Sequence, residues 1–344
     1  MSSRPVMSRA IFLFAAAFTG CGGSSPSPAD AGADASPEAG GDVSADGGAR
    51  QPVAIQFAPR VGTAAFSCAQ SYRGLGADNA EVMPSDFRFY VQDVALVDEQ
   101  GRATPVALDS DGRWQQANVA LLDFEDKQAE CANGTTPTND RLVGTVPAGR
   151  YRGLRFTIGV PFDLNHRQLT DSRPPLDLTA LFWSWNSGHL FLKAEASAVV
   201  TNGSDAGASG DAADAGADDA GAVDAGIVDA GSSDGGGDAA VRARRNVFAF
   251  HAGSVACAGN ASEGALVACQ RPNRGGVVLP TFEPSSHKVV VDFAELFAES
   301  RLQALAGCHS FSGGDACTAP FQRIGVDPTT GQPAPSTQKA FRVE

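Results

Sequence analysis

The sequence predicts a mainly β protein: an antiparallel β-sandwich or barrel-like domain stapled by disulfides, with a short C-terminal helix and a disordered acidic insertion. Three observations carry this. Apolar residues recur at period two in six separate runs, as half-buried strands require. Turn sequences rich in Gly, Pro and Asn separate the runs. Six cysteines remain once Cys21 is set aside, an even number that suits an exported, disulfide-stapled domain.

In chain order, residues 1–21 read as a lipoprotein signal peptide rather than part of the fold. Arg4 and Arg9 form a short positive region, and residues 10–18 (AIFLFAAAF) form an apolar run too short to span a bilayer. FTGC then ends at Cys21 in the manner of a bacterial lipobox. Acylation of Cys21 would anchor an exported chain to a membrane, facing the periplasm or the cell surface, without a spanning helix. An ordinary secretory signal with a chance cysteine is the competing reading. The spacer-like residues 22–50, poor in apolar side chains, favour a lipid anchor followed by a disordered tether.

Residues 51–344 are expected to form a single domain, interrupted at 201–241 by an Asp/Ala/Gly-rich insertion. The two low-complexity stretches hold 14 of the 39 acidic residues. With Arg4 and Arg9 also set aside, 25 acidic residues face 24 basic ones, so the net charge of −13 says little about the folded part. No concentrated basic surface suggests nucleic-acid binding. The Asp and Gly of the insertion lack the regular spacing of a calcium-binding repeat, and a solvated loop is the better reading.

The strands follow from alternation. Val53, Ile55 and Phe57 begin the series, followed by Phe87, Phe89 and Val91, and by Leu154, Phe156, Ile158 and Val160. Leu190 and Leu192 alternate with His189, Phe191 and Lys193; Phe248 and Phe250 alternate with His251; Val289, Val291 and Phe293 complete the set. DEQG, SDG at 110–112, PAG at 147–149 and NSG at 186–188 supply turns. The DSDG at 109–112 resembles the start of a calcium loop, but no downstream Glu completes an EF-hand, and a tight turn is expected. FAELFAESRLQAL at 293–305 has the best helical spacing, and a helical turn is expected at 176–181. Among the cysteines, Cys257 with Cys269 and Cys308 with Cys317 are the favoured disulfides, because each closes a short loop rich in Gly, Ser and Asn; Cys68 with Cys131 follows by elimination. A thiolate metal site is disfavoured by the lack of any CxxC pair and by the oxidising compartment.

No GxSxG, HExxH or P-loop motif points to a hydrolase or nucleotide enzyme. The chemistry-bearing residues are five histidines, His166, His189, His251, His287 and His309, and the pair Trp183 and Trp185, which on a strand would share one face. Taken singly, each histidine reads more readily as a surface or hydrogen-bonded residue than as a ligand, and the tryptophans read more readily as core.

Several ordered motifs change that balance. QFAPRVGTAAFSCAQSYRGLG, FRFYVQDVALVD, WQQANVALLDFED, CANGT, GVPFDLNH, LFWSWNSGHLFLK, FHAGSVAC and CTAPFQRIGVD follow one another over about residues 53–326. In this order they resemble the MbnP-like copper-binding proteins, the four-cysteine partners in metallo-mystery pair systems. The resemblance implies a β-rich exported protein that binds copper. It also implies a di-haem peroxidase-like (MbnH-like) partner that oxidises a tryptophan to kynurenine. Carried onto this sequence, the modification candidates are Trp185, which is preferred, and Trp183. The ligand candidates are His166 of the LNH motif, His251 of FHAGS, His189 and the modified Trp185. The resemblance thus implies copper acquisition or handling by a protein that is a substrate and not itself an enzyme. The acidic insertion before the His251 strand departs from the family pattern. An adhesion or carbohydrate-binding β-module is the alternative from another class, since exposed tryptophans stack on sugars. A metal-dependent enzyme ranks last, because no motif nominates a general base.

Overall fold

The computed structural model describes residues 48–184, 186–199, 245–259, 268–304, 307–311 and 314–344. The leader with Cys21, nearly all of the tether, the 201–241 insertion and Trp185 lie outside the described residues.

Two large sheets carry the fold. The first runs in the order Phe341–Val343, Val289–Asp292, Arg50–Val61, Arg141–Pro147 and Ala107–Leu108, with Ala64–Ala65 pairing on Arg50–Val61. The second runs Gly275–Leu279, Tyr151–Ile158, Ala80–Asp98, Leu192–Val199, Arg245–Ala252 and Cys308–His309. The long Ala80–Asp98 strand is its spine and also pairs with Val119–Asp123. Two small hairpins complete the topology, Phe182–Ser184 with Gly188–His189 and Val255–Ala258 with Ala268–Arg271.

Alternation places phenylalanines from both sheets between them. Phe57 lies 6.3 Å from Phe89 and 5.7 Å from Phe156, while Phe341 lies 5.6 Å from Phe89 and 5.5 Å from Phe156. These four rings are buried and meet edge to face, an arrangement that adds to the stabilisation from burial alone. The expected sandwich is therefore present, and most expected strands fall on real ones; the 189–193 run is instead broken at Leu190 and Phe191, and Phe293 opens a helix rather than closing a strand.

Three details differ from the sequence reading. First, two pairings are parallel: Arg50–Val61 with Val289–Asp292, and Arg245–Ala252 with Cys308–His309. Second, the helix expected over 293–305 is only Phe293–Leu296. Asp292 caps its start, accepting from the N–H groups of Ala294 and Glu295. Further on, the Asp78 carboxylate accepts from the N–H groups of Leu302 and Gln303, a tertiary capture that competes with continuing the helix. Third, the longest helix is Asp315–Arg323, which contains Pro320. Proline forfeits a backbone donor in a helix, which hid this element in the sequence. The turn expected at 176–181 is a 3-10 turn at Thr179–Leu181. The DSDG segment is a tight turn, in which Asp111 Oδ1 accepts from the N–H groups of Arg113, Trp114 and Gln115.

Cysteines pair as Cys68–Cys131, Cys257–Cys269 and Cys308–Cys317. Each closes at a different part of the molecule, and the last two flank the region described next.

Candidate functional site

The outer face of the larger sheet is not apolar throughout. Strand alternation turns Phe87, Phe89, Phe248 and Phe250 into the sandwich and turns Arg88, Lys193 and His251 the other way. Cross-strand register sets Asp123 opposite Arg88, Arg88 opposite Lys193, Lys193 opposite His251, and His251 opposite His309. Five neighbouring strands thus present one polar row that ends in two imidazoles.

Charge pairs tie the row together. Arg88 donates to both Asp86 carboxylate oxygens, at 2.9 and 2.6 Å, and its other nitrogen lies 2.7 Å from Glu125. Lys193 Nζ lies 2.8 Å from Asp86 and 3.3 Å from Glu195. Glu195 in turn lies 2.7 Å from His251 Nε2. Arg88, Asp86, Asp123 and Glu125 are buried, so each charge needs a partner. Four carboxylates (Asp86, Asp123, Glu125, Glu195) crowd around Arg88 and Lys193. Burial accordingly pushes Asp123 up to about 7, and burial together with Asp86 raises Glu125. At the other end of the row, burial would raise Glu195, but the His251 hydrogen bond and the Lys193 ammonium hold it down to about 2. An ionised Glu195 accepts from His251 Nε2–H, which leaves Nδ1 as the ring's lone-pair donor.

His251 and His309 stand with ring centroids 4.6 Å apart at 80°. Burial and the neighbouring His251 lower the His309 pKa, which favours the neutral ring a metal needs. Ser310 fixes their backbones: it donates N–H and hydroxyl hydrogen bonds to the His251 carbonyl, and its hydroxyl accepts from Gly253 N–H. The Cys308–Cys317 disulfide ties this short edge strand to the Asp315–Arg323 helix. Outward from His309, Phe311 stacks on the imidazole at 5.6 Å and Trp183 meets Phe311 edge-on at 5.0 Å. Gly253 makes room for the indole, since a Cβ there would lie 2.6 Å from Trp183 Cζ3.

The other nominated histidines have different partners. His189 is fully buried, with Nδ1 3.2 Å from the Asn165 carbonyl and Nε2 2.9 Å from the Leu176 carbonyl. Both ring nitrogens therefore face backbone oxygens, and burial lowers the pKa of the ring. Asn165 organises this corner: its side chain accepts from His189 N–H at 2.8 Å and donates to the Ser254 hydroxyl at 2.9 Å. His166 lies tilted against Phe162, 4.9 Å between ring centroids, with Nε2 3.2 Å from the Asn165 amide nitrogen and directed at the Cys257–Cys269 disulfide.

Of the residues nominated from sequence, the fold brings His251 into a histidine pair and sets Trp183 one ring beyond it. His309 is one of the five histidines, but no motif in the sequence marks it as a ligand. Its only local signal is an imidazole beside a cysteine, because its pairing with His251 is a non-local parallel register.

The MbnP family profile matches residues 50–310. Among solved structures, MbnP from Methylosinus trichosporium is similar, with 28% sequence identity and a TM-score of 0.64, covering 86% of this chain and 98% of that one. No curated protein matches.

Proposed function

The chain belongs to the MbnP family, and from that membership we propose that it is an exported copper-binding protein whose copper site is centred on His251 and His309. The observation that carries this is the adjacent, edge-to-face imidazole pair, with Glu195 behind one ring and Trp183 one aromatic ring beyond the other. The donor set fits copper, for which imidazole is a common ligand. When bound, copper would supply a redox-active centre for uptake or handling; all else falls to the protein. His251 offers Nδ1 while Glu195 holds its tautomer, and the lowered pKa of His309 reduces proton competition. The charged row behind Glu195 fixes that carboxylate through Lys193.

Under this reading the chain is a substrate of a di-haem peroxidase-like partner rather than an enzyme. Indole offers only an N–H donor, whereas kynurenine would add an aromatic amine and a ketone as nitrogen or oxygen ligands. Trp183 and Trp185 remain the candidates for that oxidation, and Phe311, largely exposed beside His309, gives a partner an aromatic surface to meet. Anchoring is assigned to a lipid on Cys21; among the described residues no helix is long and apolar enough to cross a membrane.

The test is peptide mass spectrometry of the full-length protein, expressed with and without a neighbouring di-haem enzyme. A kynurenine mass on the peptide holding Trp183 and Trp185, seen only with the enzyme present, supports the reading. Two unmodified tryptophans in both samples remove the oxidation step from it.

A further inference from the structure

We propose that His166, Cys257 and Cys269 form a redox-gated site for a soft d10 cation, Cu(I) or Zn(II), closed while the cysteines are a disulfide and opened by a dithiol reductant. The site is separate from the His251–His309 pair and does not depend on copper binding there.

Cys257 and Cys269 are directly opposite each other in the Val255–Ala258 and Ala268–Arg271 hairpin, and their sulfurs are bonded. His166, at the end of the short Phe162–Asn165 helix, points Nε2 at both sulfurs, 3.4 Å from Cys269 Sγ and 3.8 Å from Cys257 Sγ. The three donor atoms lie within 4.8 Å of one another, and they are the one such cluster of three or more His, Cys, Asp or Glu among the described residues. A metal bound about 2.3 Å from sulfur and about 2.0–2.1 Å from imidazole nitrogen in tetrahedral geometry needs N···S separations of roughly 3.5–3.6 Å, between the two distances observed. The imidazole is thus already nearly in place; the S–S bond must open, and the Asn165 amide nitrogen, 3.2 Å from Nε2, must give way to the metal. Two thiolates with one imidazole is a donor set that selects Cu(I) or Zn(II).

Access sets this disulfide apart. Cys68, Cys131, Cys308 and Cys317 are all buried, whereas Cys257, Cys269 and His166 are half-buried. Thiol–disulfide exchange needs an approach path for the attacking thiolate. A reductant thiolate that attacks Cys257 Sγ forms a mixed disulfide, and the electron pair of the broken S–S bond leaves on Cys269 Sγ beside the imidazole. A neighbouring imidazole favours the thiolate and so the departure. The second thiol of the reductant then attacks the mixed disulfide, frees Cys257 and leaves the reductant as a disulfide. Two electrons have passed to the protein, and metal binding releases the protons held by the two cysteines.

The experiment uses the full-length protein in detergent, mildly reduced with a dithiol under anaerobic conditions, and Cd(II) as an optical probe. Peptide mass spectrometry after alkylation is expected to show Cys257 and Cys269 labelled before the other four cysteines. One equivalent of Cd(II) is expected to give a thiolate charge-transfer band that is absent from oxidised protein. The band should disappear in Cys257→Ser/Cys269→Ser. In His166→Ala, which leaves the disulfide intact, Cd(II) affinity should fall about tenfold or more. Prior opening of another disulfide, a band that survives in the double serine variant, or unchanged affinity in His166→Ala would overturn the proposal. Copper binding by oxidised His166→Ala and by oxidised His251→Ala reports separately on the His251–His309 reading, so failure of one is distinguishable from failure of the other.

Discussion

His251 and His309 meet edge to face across a parallel strand contact, 4.6 Å between ring centroids, on the outer side of the larger sheet. Two imidazoles held this way act as a unit, so removing either should cost most of the copper affinity. In copper titrations of oxidised protein, His251→Ala and His309→Ala are each expected to weaken binding strongly. His287→Ala is the control, since that ring accepts from Glu283 N–H in a separate turn. Equal copper binding by all three variants would count against the paired site.

Glu195 supports the site through His251 rather than by touching the metal. Glu195→Gln keeps the shape but removes the charge that fixes the tautomer. An outer-sphere change of this kind typically costs about 10–100-fold in metal affinity. The expected readout is a weaker copper titration with an unchanged circular dichroism spectrum. A variant as tight as wild type would free Glu195 of this role.

The buried carboxylates make a prediction with a definite sign. Asp123, pushed up to about 7, and Glu125, also raised, bind protons more tightly in the folded chain than in the unfolded one. Their stabilising contribution is present below the ordinary carboxylate range and is lost as pH rises through the raised values. Glu125→Gln removes one ionisation from the cluster. Its stability relative to wild type in urea melts should therefore increase between about pH 5 and about pH 8. A constant difference across that window would show that Glu125 is already ionised.

The disulfides should separate stability from function. Cys68–Cys131 closes a separation of 63 residues and Cys308–Cys317 one of 9. Loop-closure entropy then assigns about 4 kcal/mol to the first and about 2.5 kcal/mol to the second. Serine pairs at 68 and 131 should lower the melting temperature more. Serine pairs at 308 and 317 should lower copper affinity more, because that disulfide holds the strand carrying His309.

Much of this architecture was legible in the sequence. Period-two runs such as Phe87–Phe89–Val91 and Phe248–Phe250 mark strands because one face must be buried, and the disulfide pairs followed largely from loop length. What escaped was non-local. His309 gains its meaning from a parallel register with His251, and neighbouring residues do not encode that register. The helix expected over 293–305 ends at Leu296, and Asp78, more than two hundred residues earlier, holds the N–H groups of Leu302 and Gln303 in a different arrangement farther along. The resemblance nominated His166 and His189, yet local folding aims one at a disulfide and the other at two carbonyls.

Gly253 offers a smaller test of the indole's position. Alanine there would crowd Trp183 Cζ3 and also the His189 carbonyl, at 2.9 Å. Gly253→Ala is expected to shift the tryptophan fluorescence and to reduce any enzymatic oxidation of the Trp183 peptide. Unchanged fluorescence would show that the indole has room to move aside.

The most direct test of the copper assignment is copper X-ray absorption on the metal-loaded, oxidised protein. Two imidazole scatterers and no sulfur shell are expected, with one imidazole lost in His309→Ala and one in His251→Ala. A sulfur shell, or an imidazole count that neither substitution changes, would contradict a copper site built on His251 and His309.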